Sequence, residues 1–316
     1  MSVKVMHAIV KKTIRDMEIG TITGASSVAR ASVKAIKELA EQTRFRSEQQ
    51  FLKEIKSAAK AFVDYKPSMA SVKNGLAFVL CDLLKGVGEG LALPTLKNIV
   101  IERADGFIKQ SLEALEKIGE FGSRKISNGD LILTHSLSST TLEIFKKART
   151  AEKTFSAIVT ESRPGLEGRT TASELSKFGI PVTLIVDSAA GYMLKGVNAV
   201  LVGADCVLAN GSVVNKVGTY LVALAAKDQS IPFWVATETF KISPTPLRIQ
   251  PIIEEGPSSE VIDLNRFRTL KIRNPYFDIT PPKYVTEIIT EKGILSPQAI
   301  NAIAQKLPSL PANFLK

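Results

Sequence analysis

Through roughly the first 125 residues, apolar side chains recur every three or four positions. The stretches near 3–17, 25–43, 47–63, 68–86 and 94–121 each carry this spacing, as in Ile101, Ala104, Phe107, Ile108 and Leu112. Gly20, Gly24, Pro67 and the run GVGEG at 86–90 punctuate them. Five amphipathic helices in succession predict a helical bundle. After Gly122 the period changes. Short β-branched runs at 131–135, 155–161, 181–187, 198–205 and 231–237 alternate with helix-like stretches near 139–149, 170–179, 188–195 and 215–228. This alternation predicts βαβ units and a parallel sheet covered on both faces. The proline-bearing segment 242–280 reads as irregular, and helices are expected near 281–291 and 296–306. The expected fold class is α/β, with a helical N-terminal domain over 1–124 and a Rossmann-like parallel-sheet domain over 125–316.

Composition narrows the function classes. The 316 residues suffice for about two domains at roughly 150 residues each, and 45% hydrophobic content with 23% charged residues is ordinary globular usage. No run approaches the about 18 apolar residues needed to span a bilayer. The N-terminus scatters its basic residues among apolar ones, unlike a signal peptide, so a soluble, cytoplasmic protein is expected, with no membrane partner. The two cysteines, Cys81 and Cys206, cannot form a disulfide framework, and with only two histidines no metal site is expected. The formal net charge of +10 attracts phosphates or acidic surfaces. The basic residues are dispersed, however, and no nucleic-acid-binding signature accompanies them, which argues against a nucleic-acid partner.

In an open parallel sheet, ligands bind beyond the carboxyl ends of the strands. Ser136, Ser138, Ser139 and Thr140 follow the first apolar run, where a helix should begin and can receive an anion. Arg163 follows the second and can grip a phosphate with two N–H groups. Asp187 ends the third. Asp205 ends the fourth and leads through the turn Asn210-Gly211 to Asn215 and Lys216 at the next expected helix start. Glu238 and Lys241 follow the fifth. Each has an ordinary reading as well: the hydroxyls as helix caps, Asn210-Gly211 as a tight turn, Arg163 as a surface partner of Glu161 or Glu167, and the lysines as solvated. The convergence of Ser136, Arg163, Asp205, Lys216 and Lys241 on one rim points to a phosphorylated sugar or a nucleotide. Neither a dinucleotide fingerprint nor a Walker loop is present, and no cofactor is expected.

The segments ILTHSLSS (132–139), VTESRPGLEGR (159–169), VDSAAGYML (186–194), VGADCVLANGSVVNKVGT (202–219), ATETFK (236–241) and NPYFDITPPKYV (274–285) carry a resemblance. They are similar to the family that joins the alpha, beta and delta regulatory subunits of translation initiation factor 2B to the isomerases of ribose 1,5-bisphosphate and 5-methylthioribose 1-phosphate. The chain most resembles the archaeal members. The resemblance implies a phosphate-sugar pocket between a helical and a Rossmann-like domain, with pairing through the C-terminal domains as homodimers or hexamers. By position, Asp205 matches the isomerases' catalytic acid, and Asn215 and Lys216 match the pair that holds substrate. Lys241, Arg163, Ser138, Gly24, Ala25 and Lys66 fall in matching ligand-binding segments.

Three positions depart from the isomerases. Ser136 stands where they carry a catalytic cysteine, Thr23 where an arginine precedes the Gly-Ala pair, and Lys66 where an Arg-Pro would begin. A hydroxyl needs an activating base that a thiol does not, and His135, adjacent along a strand, points to the opposite face. The leading expectation is therefore a non-catalytic regulatory subunit that binds a nucleotide or sugar phosphate and contacts the alpha subunit of initiation factor 2. The alternative is a ribose-1,5-bisphosphate isomerase using Asp205 with Ser136.

Overall fold

In the computed structural model, residues 6–244, 253–263, 269–311 and 314 are described. Two compact units are present, one comprising Met1–Glu113 with Lys306–Lys316, the other Ala114–Gln305. The first unit is helical: α1 (Ala8–Glu18), α2 (Ala25–Gln42), α3 (Glu48–Tyr65), α4 (Ala70–Gly88) and the part of α5 (Leu93–Ser123) up to Glu113. The three- and four-residue spacing converts directly into a buried stripe of Val33, Ile36, Leu39, Phe51, Ile55, Phe62, Leu76, Leu80 and Leu83. Each such side chain contributes about 1.5–3 kcal/mol through burial. Ser47 caps α3, its hydroxyl accepting from Gln50 N at 3.2 Å. No helix among the described residues is long and apolar enough to cross a membrane.

The second unit interleaves strands and helices: β1 (Leu131–Thr134), α6 (Ser139–Thr150), β2 (Ser156–Thr160), α7 (Glu167–Lys177), β3 (Val182–Ile185), α8 (Ala190–Met193), β4 (Ala199–Val202), β5 (Cys206–Val207), β6 (Val213–Lys216), α9 (Thr219–Asp228), β7 (Phe233–Ala236), β8 (Phe277–Thr280), β9 (Glu287–Thr290), β10 (Gly293–Leu295) and α10 (Ile300–Ala304). Seven strands form one sheet in the order β10-β9-β7-β4-β1-β2-β3. Every pairing in it is parallel except β10 with β9. The central strands β1, β4 and β7 are apolar on both faces because both are covered, and Ile118, Ile132, Ile144, Phe145, Leu175, Leu201 and Ile289 fill one core. The unit is α/β with a mostly parallel sheet, as the alternating pattern predicts.

Three sequence expectations change. The segment 281–291 is not a helix: a short turn at Pro282–Tyr284 leads into β9, which pairs with β7 through Trp234↔Glu287, Val235↔Ile288 and Ala236↔Ile289. Its Ile288-Ile289-Thr290 run is β-branched, and a free place beside β7 outweighs a weak helical period. In 296–306 the α-helix is confined to α10. Asn215 and Lys216 lie in β6, not at a helix start, and belong to a small antiparallel sheet of order β5-β6-β8. There Asn215 opposes Asp278 and Lys216 opposes Phe277. Cys206 is a core cysteine, as its apolar run suggests.

Candidate functional site

The loops leaving the carboxyl ends of β1, β2, β4 and β7 carry the site's side chains. After β1, Ser136 adopts the left-handed backbone conformation at φ 68°. Two neighbours hold it there: Ser162 Oγ accepts from Ser136 N at 2.7 Å, and Thr171 Oγ1 donates to Ser136 O at 2.9 Å. Ser138 caps α6 through Thr141 N, bonds Thr140 Oγ1 at 2.8 Å, and packs where a side chain at Gly203 would stand. Gly203 thus allows the β1 loop to meet the β4 loop that carries Asp205.

His135 does not serve Ser136. Its Nε2 lies 3.0 Å from Val217 O and its Nδ1 2.6 Å from Thr160 Oγ1. The carbonyl assigns the proton to Nε2. Burial lowers the His135 pKa, against a raising effect from Asp187, so the ring is neutral.

Asp205 is only partly shielded from solvent, yet the protein packed around its carboxyl raises its pKa by desolvation. Lys241 and Lys216 oppose that rise; Glu167 and Glu254 add to it. A partly exposed aspartate with its carboxyl biased toward the acid form, and two ammonium groups within electrostatic range, is equipped to give a proton to a bound anionic ligand. Lys216 is buried, forms an ion pair with Glu167 Oε1 at 2.7 Å, and lies 5.2 Å and 5.7 Å from the ring centres of Tyr276 and Phe277. Asn215 Nδ2 donates to Thr219 Oγ1 at 2.9 Å, and that hydroxyl donates to Lys216 O at 2.6 Å. Lys241 is buried at the end of a short 3-10 turn after β7.

Residues 21–297 match the sequence family described as the initiation factor 2 subunit family. The chain belongs to that family. It is 39% identical over 300 residues to the ribose 1,5-bisphosphate isomerase of Methanocaldococcus jannaschii, covering 94% of this chain and 95% of that one. A crystal structure of translation initiation factor eIF-2B from Pyrococcus horikoshii superimposes with a TM-score of 0.80 at 37% identity, covering 92% of this chain and 98% of that one. The 5-methylthioribose 1-phosphate isomerase of the same organism gives 0.73 at 27% identity, with 94% and 87% covered.

Arg163, Gly24, Ala25 and Lys66 are the remaining candidates in this member of the initiation factor 2 subunit family. The guanidinium of Arg163 is exposed and donates to Glu260 O at 2.8 Å. It pairs with neither Glu161, which holds Arg169 at 2.8 Å, nor Glu167. Gly24, Ala25 and Lys66 lie in the helical unit: Gly24 precedes α2 at φ 78°, Ser71 Oγ donates to Ala25 O at 3.0 Å, and Lys66 follows α3 with its ammonium over Tyr65. Asn210-Gly211 is a turn, with Asn210 Oδ1 accepting from Ser212 N. No group of three or more His, Cys, Asp or Glu able to hold a metal occurs among the described residues.

The structure gives three acidic residues roles that the sequence pattern does not assign to them. Asp187 fixes the β2 loop, its two oxygens accepting from Ser162 N and Arg163 N at 2.7 Å each. Glu167 pairs with Lys216 and not with Arg163. Asp278 accepts from Gly218 N and Tyr220 N at the start of α9, with its pKa raised to about 6 by burial. Acidic residues just after a strand or opening a helix were the available signal.

Asp278 makes a pH prediction. A folded pKa above the ordinary 3.8 means the fold binds the proton more tightly than the unfolded chain. Stability therefore falls as pH rises from about 4 through about 6, by up to about 3 kcal/mol for a shift of roughly two units. Asp278→Asn removes that slope. Urea unfolding should show the variant gaining on wild type by that amount between pH 4 and pH 7; a constant difference would place the titration elsewhere.

Proposed function

We propose that this chain is an aldose–ketose isomerase of a ribose bisphosphate, with Asp205 as its proton donor. The observation that carries the reading is Asp205 itself: a partly exposed residue whose carboxyl is biased toward its acid form by desolvation, in range of the Lys216 and Lys241 ammonium groups. A regulatory subunit has no catalytic need for such an acid. The identity to ribose 1,5-bisphosphate isomerases over nearly the full length adds support.

In this reading Lys216, Lys241 and Asn215 bind the phosphate and the ring oxygens, with Ser138 at the head of α6 as a further donor. A 1-phosphorylated aldose cannot open to a free aldehyde without losing its phosphate. Opening must instead cleave the bond from C1 to the ring oxygen as C2 loses its proton, and the departing oxygen needs an acid. Asp205 supplies it. No metal or cofactor is needed for this proton balance.

Ser136 favours a second reading, the non-catalytic regulatory subunit that binds a nucleotide or sugar phosphate and contacts the alpha subunit of initiation factor 2, because a thiol has given way to a hydroxyl. Pairing with a second copy suits either reading. Leu184, Val186, Tyr192 and Leu221 stand exposed on the β3 edge, α8 and α9, and sedimentation tests it.

Incubation of the purified chain with ribose 1,5-bisphosphate, followed by NMR, decides between the readings. We expect the ribulose isomer, with Ser136→Cys raising kcat at least tenfold. Tight binding with no turnover by either protein would favour the regulatory subunit.

A further inference from the structure

An isomerisation needs a base as well as an acid, and Ser136 has none to activate it, since both ring nitrogens of His135 are engaged elsewhere. Glu167 has what the base requires. It opens α7, and Gly168 beside it packs against Thr160 O and Ser162 Oγ, the hydroxyl that accepts from Ser136 N. Glu167 is therefore carried to the same loop cluster as Ser136. Its Oε1 is held by Lys216 at 2.7 Å. Its Oε2 is closed off from solvent and makes no hydrogen bond. An enclosed, unpartnered carboxylate oxygen in a native structure calls for an explanation, and catalysis is a principal one. The charge of Glu167 also acts on both Asp205 and His135, which places it in the same electrostatic cluster.

We propose that Glu167 is the base of the reaction, taking the part that the missing thiol would play; the proposal rests on the isomerase reading above. Glu167 Oε2 takes the proton from C2, and the C–H electron pair becomes the C1=C2 bond. The bond from C1 to the ring oxygen breaks, and that oxygen takes the proton of Asp205. The product is an open-chain enol phosphate, with Glu167 protonated and Asp205 ionised. In the second half, Asp205 takes the proton of the 2-hydroxyl as C2=O forms, and C1 takes the proton from Glu167. Both carboxyls return to their starting states with no oxidant or reductant used. Two carboxyls serve as acid and base because their surroundings differ: a lysine holds one in an ion pair, and burial biases the other toward its proton.

The test uses the full chain with Glu167→Gln and Glu167→Asp, reading kcat, KM and calorimetric affinity for ribose 1,5-bisphosphate. Expected for Glu167→Gln is a kcat loss of at least a hundredfold, with affinity unchanged or tighter because Lys216 is released from its ion pair. Glu167→Asp keeps a carboxylate and should recover at least tenfold over the glutamine variant, which also serves if Glu167→Gln folds poorly. An active wild type whose Glu167→Gln variant keeps kcat within tenfold overturns the base and leaves the isomerase reading standing. A loss confined to affinity makes Glu167 a positioning residue for Lys216 and equally overturns it. A wild type that binds the sugar but never turns it over overturns both.

Discussion

Asp205→Asn is expected to lower turnover of ribose 1,5-bisphosphate by at least about a hundredfold, the usual contribution of a positioned general acid. The amide matches the carboxyl in size, so Lys216, Lys241 and the bound phosphate keep their places and affinity should change little. In the proposed reaction the variant cannot supply the proton that the departing ring oxygen needs. Thermal stability should hold or rise. The Asp205 pKa is raised by burial, so ionising it at neutral pH opposes folding, and asparagine removes that cost. A large kcat loss in a protein that melts no lower than wild type separates chemistry from damage. Unchanged turnover would remove Asp205 from the reaction.

The second large effect is structural. Gly168→Ala is expected to destabilise the second unit by about 3 kcal/mol or more, the upper range for forcing a group into a filled space. A Cβ there would be driven into the Thr160 carbonyl and against Ser162 Oγ. The carbonyl is backbone at the end of β2 and cannot rotate away, so α7 must lift. Lifting it pulls Thr171 from Ser136 O and Glu167 from Lys216. The melting temperature should fall by about 10 °C for a unit of this size, and sugar-phosphate affinity should fall with it. A variant within about 1 kcal/mol of wild type in urea titrations would show that α7 rides more loosely on β2 than this packing implies.

How much of this was legible beforehand follows from what each element needs. The central strands announced themselves because a parallel strand covered on both faces must be an unbroken apolar run, as in Ala199–Val202 and Phe233–Ala236. Their carboxyl ends then located Ser136, Asp205 and Lys241. β9 did not announce itself, since Glu287–Thr290 becomes a strand only through its partner β7. The small β5-β6-β8 sheet was invisible for a similar reason: β5 has two residues, and β8 joins β6 across a long intervening stretch. That sheet turns Lys216 from a residue at a helix start into a buried strand cation. Glu167 was hidden because its meaning depends on Leu166 turning left-handed at φ 60° and on where Lys216 ends up. Spacing along the chain records neither.

One feature of the chain path bears on how the protein is made. Residues 306–311 and Phe314 belong to the helical unit, with Cys81 Sγ donating to Ser309 O at 3.6 Å and Lys56 lying over the Phe314 ring. All of the second unit is synthesised before them. The helices translated first therefore wait for this segment until the whole α/β sheet has left the ribosome. A chain stopped after Gln305 would hold a complete second unit and leave the first without the segment that carries Ser309 and Phe314, so a late break in synthesis would be felt in helices made long before it.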